Sequence, residues 1–317
     1  MNWQGRTFNW QLPKTPSYGD SGLVVIDSDD GWRGDFTHWR PTILAKSAQY
    51  SGWYPPKVAV VCLALNTANI GRDSYLSWDQ VHALRGLGWE INSHGRHHVD
   101  LGRHPLTETA SAGAQEMKVD TTWFGVFVGG YEYIVTDGAN YETIDINAVG
   151  NGTITLNTPL QSSWGTGSWV ELSEQGKRDL LQGAIDDLAA QGILCKHHVY
   201  TYHVGSEHAY NPESVEIVGQ LFLSGRGRSG DLNDRSVDIR NLRSRLLNDS
   251  LTTATIDAIL DECVLHDKVA IFYGHGETSE VRLSQLEYII DGCVRRGIRI
   301  GTHTDAWRKL TQGKTPE

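Results

Sequence analysis

The chain has 317 residues, of which 39% are hydrophobic and 21% charged, with 28 Lys and Arg against 38 Asp and Glu for a formal charge of −10. That balance excludes a mostly disordered chain, and a net negative charge with no basic run argues against nucleic acid or an anionic membrane surface as partner. No apolar stretch approaches the roughly 18 residues of a membrane helix.

The first residues, Met1-Asn2-Trp3-Gln4-Gly5, lack the basic-then-apolar build of a secretory signal, so the expectation is a cytoplasmic or virion-associated protein. From there, short apolar runs recur, each ending in polar residues. Leu23-Val24-Val25-Ile26 runs into Asp27-Ser28-Asp29-Asp30, Lys57 to Leu63 into Asn66, and Trp89-Glu90-Ile91 into Asn92-Ser93-His94. Later come Cys195 to Tyr202, Ile217 to Leu223 before Gly225-Arg226-Gly227, Lys268 to Tyr273 before Gly274-His275, and Ile298-Arg299-Ile300 before Thr302-His303. Continuous apolar runs of this length read as parallel strands covered on both faces.

Helix signals fall between them. Ser77-Trp78-Asp79-Gln80 has the form of a capping box ahead of Val81, Leu84 and Leu87. Ser173 precedes Leu180, Leu181, Ala184 and Leu188, and Ser284 precedes Leu286, Ile289, Ile290 and Val294. About seven strand–helix alternations predict an α/β barrel or a doubly wound sheet, whose functional groups collect where strands end.

Residues 116–172 break the pattern. Short β-prone stretches (Trp123–Val128, Tyr131–Val135, Thr143–Ile146, Thr153–Leu156, Ser168–Leu172) alternate with turns such as Asp137-Gly138 and Gly150-Asn151-Gly152. We read an inserted antiparallel β module, with residues 1–115 and 173–317 forming the barrel. The module is either a shape-setting or oligomer contact, including a virion assembly contact, or an extension of a sugar groove through Trp123, Tyr131, Tyr133, Trp164 or Trp169. Eleven tryptophans suit core packing and also stacking on sugar rings. The cysteines, Cys62, Cys195, Cys263 and Cys293, have no CxxC spacing and read as reduced, buried thiols.

Three features carry chemistry. Asp29 and Asp30 at a strand end can divide labour, one binding a cation and the other taking a proton. In His94-Gly95-Arg96-His97-His98, one helical turn would place His94 and His98 on the same side, with His97 pointing elsewhere. Two histidines and one aspartate make a facial ligand set that leaves positions open for water and substrate. His275, at the end of a late strand, offers a general acid to such a site.

The order and flanks of these residues resemble the polysaccharide deacetylase family with NodB homology, carbohydrate esterase family 4. Asp27-Ser28-Asp29-Asp30-Gly31 is similar to its first motif, usually Thr-Phe-Asp-Asp-Gly. Trp89-Glu90-Ile91-Asn92-Ser93-His94 through His98-Val99-Asp100-Leu101 is similar to its second. The resemblance covers about residues 20–104 and 174–308. It departs at Asp27-Ser28, at Gly95, and in a third motif that is only echoed by Tyr200-Thr201-Tyr202-His203-Val204-Gly205, with Arg226 the better candidate for that motif's arginine.

The resemblance implies a distorted (β/α)7 barrel of the NodB type that deacetylates an N-acetylated polysaccharide or glycan. Asp30, His94 and His98 would hold a divalent metal, zinc first among the transition metals. Asp29 would be the base, His275 the acid, and Arg226 would orient Asp29. The oxyanion would sit against the metal and a backbone N–H near Tyr200–Tyr202. Asp231, Asp234 and Asp305 are all open as the support for His275. The alternatives are an O-acetyl esterase on an acetylated glycan, or a weakly active glycan-binding or structural protein of a phage virion or tail.

Overall fold

The computed structural model describes residues 22–50, 59–120, 127–202, 210–276 and 279–312. In chain order, β1 (Leu23–Ser28), β2 (Cys62–Leu65) and β3 (Glu90–Ser93) come first. Short antiparallel strands follow: β4 (His104–Pro105), β5 (Glu116–Lys118), β6 (Tyr133–Thr136), β7 (Tyr141–Ile144), β8 (Ile146–Gly150), β9 (Thr153–Leu156) and β10 (Trp169–Leu172). The chain then forms β11 (His197–Val199), β12 (Ser224–Ser229), β13 (Leu242–Leu246), β14 (Val269–Gly274) and β15 (Arg299–Gly301). The helices are α1 (Arg40–Gln49), α2 (Trp78–Gly86), α3 (Glu174–Ala190), α4 (Pro212–Leu221), α5 (Thr253–Leu265), α6 (Glu280–Arg296) and α7 (His303–Thr311). Among the described residues, no helix is long and apolar enough to cross a membrane.

Parallel pairing runs β14-β13-β12-β11-β3-β2-β1, and β1 pairs with β14 from Leu23↔Val269 to Ser28↔Gly274, which closes the barrel. The other edge of β1 is divided. β15 takes Leu23–Val25 and β2 takes Asp27 and Ser28, so β15 is wedged in beside the lower half of β1. The result is the expected distorted barrel of seven strands, with an eighth inserted at one seam.

Side chains alternate along β1. Leu23 and Val25 join an interior cluster with Cys62, Leu242, Ile271, Ala306 and Leu310, while Val24 and Ile26 pack with helix residues such as Ile43, Ile259 and Ile289. The same period sends Asp27 and Asp29 inward.

Local chemistry explains most element ends. Ser77 Oγ accepts from Gln80 N–H while Gln80 reaches back to Ser77 N–H, the reciprocal bonding expected at the start of α2. Ser173 caps α3 through Gly176 N–H. Two expectations fail. Ile217–Leu223 is not a strand, because Asn211 caps a helix there with Pro212 in its first turn, and the strand is the Gly- and Arg-bearing β12 behind it. Ser284 lies inside α6, which starts after Ser279. Strand β13 was missed because its sequence, LRSRL, has no continuous apolar run.

The short strands form two antiparallel sheets, β4-β10-β6-β7 and β5-β9-β8, and β4 comes from before residue 116. Thr143–Ile146, read as one strand, is divided between β7 and β8. The β8–β9 hairpin turns at Asn151 (φ 49°) and Gly152 (φ 75°), the consecutive positive φ values of a tight turn that matches strand twist. Both sheets share one apolar cluster with Leu180 and Leu181 of α3 and Ile217 and Val218 of α4. All four cysteines are free thiols; Cys195 is only partly buried.

Candidate functional site

At the end of β1 the backbone enters the left-handed region twice, at Asp30 (φ 72°) and Gly31 (φ 78°). A non-glycine residue held there carries about 1–3 kcal/mol of strain, a cost found mainly at functional sites. The turn aims Asp30 at the histidine loop after β3. Its Oδ2 accepts from Trp32 Nε1–H at 3.0 Å. Its Oδ1 lies 3.3 Å from His94 Nε2 and 3.3 Å from His98 Nε2. This oxygen is buried and has no hydrogen-bond partner.

His94 Nδ1 is 2.8 Å from the Val199 carbonyl. A carbonyl only accepts, so Nδ1 carries a hydrogen, and in the neutral ring Nε2 presents its lone pair towards Asp30. The three ligand atoms lie within 4.8 Å of one another. Burial, followed by the neighbouring His94, pushes the His98 pKa down to about 4, which keeps its ring neutral, the ligating form, at pH 7. Burial opposes ionisation of Asp30, but His94 and His98 outweigh it and hold the carboxyl well below its usual range. An unpaired buried carboxylate oxygen facing two imidazole lone pairs fits a divalent cation.

The histidines do not sit on a helical turn as expected. They lie on an irregular loop that Gly95 reverses at φ 79°, where a Cβ would stand 2.9 Å from the His97 carbonyl. His97 turns away, with Nδ1 2.8 Å from the Tyr131 hydroxyl.

Behind Asp30 and the two histidines, Arg226 Nη2 donates to both carboxylate oxygens of Asp29, each at 2.5 Å. Burial alone would raise the Asp29 pKa, but Arg226, with His94 and His275, lowers it. Arg226 is fully buried and lies 4.4 Å over the Tyr273 ring. Its Nη1 donates to Ser244 Oγ at 3.2 Å, and its Nε stands 2.9 Å from Asp27 Oδ2 as an ion pair.

His275 follows β14 at the same rim and acts electrostatically on Asp29, Asp30 and His98. It lines a cavity of about 480 Å³ with Trp32, Ser74, Ser279 and Arg282. Trp32 stacks on Tyr75 with ring centroids 4.3 Å apart. The His275 turn is fixed from below. Ser28 Oγ accepts from Gly276 N–H at 2.9 Å and donates to buried Asp35.

No protein-family model and no curated protein matches the chain. Among solved structures, the Xyl-CE4 domain of a multidomain xylanase from the hindgut metagenome of Trinervitermes trinervoides is 13% identical, with a TM-score of 0.44, over 93% of this chain and 91% of that one. The family 4 carbohydrate esterase from Streptomyces lividans is 10% identical, with a TM-score of 0.46, over 90% and 94%. A T48 deacetylase with substrate is 10% identical, with a TM-score of 0.45, over 93% of each. The barrel closure and strand order decide the architecture. The fold is a closed, distorted parallel α/β barrel of seven strands.

Within this barrel, the remaining candidates are placed as follows. Asp231 pairs with Arg245, Asp234 accepts from Ser236 N–H, and Asp305 belongs to the capping box of α7. The Tyr200 N–H is spent on the Arg226 carbonyl. The ring of Tyr202 meets His98 edge-on at 4.3 Å. His203 to Gly205 lie outside the described residues, as does Trp123. Of the aromatics expected along a sugar groove, Tyr133 and Trp164 are buried in the core of the antiparallel sheets and offer no face to a ligand. Trp169 carries Arg103 over its ring at 4.5 Å.

Sequence reasoning missed Asp27, Cys62 and His303, whose ligand atoms also come within 4.8 Å of one another. A cation fits this second group poorly. Asp27 already faces Arg226 and accepts from His303, and burial followed by the charges of Glu90 and Asp27 pushes the Cys62 thiol well above its usual pKa. The available signal was the polar Asp27-Ser28 pair where the resembling family has Thr-Phe.

Proposed function

We propose that the protein is a metal-dependent hydrolase that removes acetyl groups from an N-acetylated polysaccharide or glycan. One observation carries the reading: Asp30 Oδ1, buried and unpaired, faces the Nε2 atoms of His94 and His98 beside an arginine-held second carboxylate. A divalent ion held by these three residues, zinc by the nature of the donors, would supply the positive charge that acidifies water and polarises an acetyl carbonyl.

The residues around it divide the proton work. Asp29, kept ionised by Arg226, takes the proton of the attacking water. His275, across the rim, gives a proton to the departing sugar nitrogen as the C–N bond breaks, since an amine anion is a poor leaving group. The products are acetate and the free amino sugar. Trp32, stacked on Tyr75, walls the cavity beside His275 and suits the apolar face of a pyranose.

Elemental analysis of the purified protein, paired with acetate release from a panel of N- and O-acetylated oligosaccharides with and without chelator, tests this. Bound metal and chelator-sensitive acetate release from the N-acetylated sugars are expected. Release from O-acetylated sugars alone would reassign the site to an esterase, and bound metal with no acetate release from any glycan would reassign it to binding or structure.

A further inference from the structure

The strand end that carries the site departs from the resembling motif at Asp27, and that residue is anything but idle. It is fully buried on the interior face of β1, two positions before Asp29. Arg226 Nε stands 2.9 Å from its Oδ2, and His303 Nε2 lies 2.8 Å from the same oxygen. Because a carboxylate only accepts, His303 donates. The contacts run His303, Asp27, Arg226, Asp29, and all four side chains are at most 3% exposed.

The charges in this run alternate. Asp27 and Asp29 bring two negative charges to Arg226's one, and His303, in contact with Asp27, is able to supply a further positive charge. Buried carboxylates left uncompensated are costly, so removing one member of the run leaves its neighbour's charge exposed to that cost. The run also fixes geometry. A guanidinium at the end of a long side chain needs more than one anchor to present one nitrogen in a set direction. Here Nε faces Asp27, Nη1 binds Ser244, and the Tyr273 ring covers the plane, which leaves Nη2 for Asp29. His303 is itself fixed as the first residue of α7, with its N–H on Cys62 Sγ at 3.3 Å.

We propose that Asp27 and His303 are positioning residues for Asp29, acting through Arg226. The proposal rests on Asp29 being the base of the reading above, and it extends the working site from the rim down to α7.

The test compares crystal structures and steady-state acetate release of the full-length, metal-loaded protein with those of Asp27→Leu and Asp27→Asn. In Asp27→Leu, Arg226 Nη2 moves out of hydrogen-bond distance of Asp29. Turnover then falls about 10- to 100-fold, the scale of a 1 Å misplacement, with KM and metal content unchanged. Asp27→Asn keeps an acceptor for His303 and a polar oxygen where Arg226 Nε faces it, so it restores the contact and most of the turnover. An unmoved Arg226 and unchanged kcat in Asp27→Leu would overturn the proposal, as would an Asn variant as impaired as the Leu variant. Should Asp27→Leu fail to fold, His303→Leu against His303→Gln makes the same comparison, because Gln retains a donor towards Asp27. The two readings fail separately. A wild-type protein that releases no acetate sinks the hydrolase, while the Arg226–Asp29 separation in the variants still decides the positioning.

Discussion

His94 Nδ1 donates to the Val199 carbonyl at 2.8 Å, across the seam between β3 and β11. One backbone group thereby selects the tautomer of a side chain 105 positions earlier and presents its Nε2 to Asp30. The rest of the candidate site inherits its order from such crossings.

Replacing either histidine by Ala removes one of the three converging ligand atoms. His94→Ala and His98→Ala are each expected to lose bound metal, read by elemental analysis, together with acetate release. A variant that keeps stoichiometric metal and full activity would move the cation elsewhere.

Asp29→Asn retains the three ligand atoms and a similar shape. Metal content should match the wild type while turnover falls by about 10²- to 10⁴-fold, the range associated with a general base. Unchanged turnover would remove Asp29 from that role.

His275 has a role only where the leaving group needs a proton. His275→Ala should hydrolyse an activated acetyl ester at near wild-type rates and fail on an acetamido sugar. Equal activity on both substrates would exclude it as the acid.

The His275 turn depends on close approach to the segment after β1. A Cβ on Gly34 would stand 1.9 Å from the Gly276 carbonyl, so Gly34→Ala must displace one of the two backbones. Ser28→Ala leaves the Gly276 N–H and the Asp35 carboxyl short of a buried partner. A loss of about 1–3 kcal/mol is expected in denaturant unfolding for the serine variant. A loss within error would mean that the turn is held by other contacts.

Stability should respond to pH through His104, whose Nε2 lies 2.8 Å from buried Asp100. Burial disfavours the charged ring, but Asp100 outweighs it, so the folded-state pKa is raised. A raised pKa means that the folded state binds the proton more tightly. The stabilisation is therefore complete below the unfolded value of about 6.5 and disappears as pH rises through the higher folded value. The melting-temperature gap between wild type and Asp100→Asn should be widest on the acid side of that window and narrow above it. A gap that does not vary with pH would detach it from this titration.

The strand ends at Asp27–Asp30, Asn92–His94 and Gly274–His275 could be read directly, because an apolar run that stops abruptly at polar residues has few other uses in a parallel sheet. The start of α2 was equally readable, since a capping box is a local hydrogen-bond pattern. Arg226 could be singled out, but its strand was misplaced, because the apolar run before it belongs to α4. What no local pattern contains is the closure of β1 on β14, which brings residues numbered near 30, 95, 226 and 275 to one rim. The pairing of Asp27 with His303 spans 276 positions. Side-chain chemistry along the chain determined which groups could react. The shared interior of a closed barrel decided which of them meet, because burial there forces each charge to find its partner.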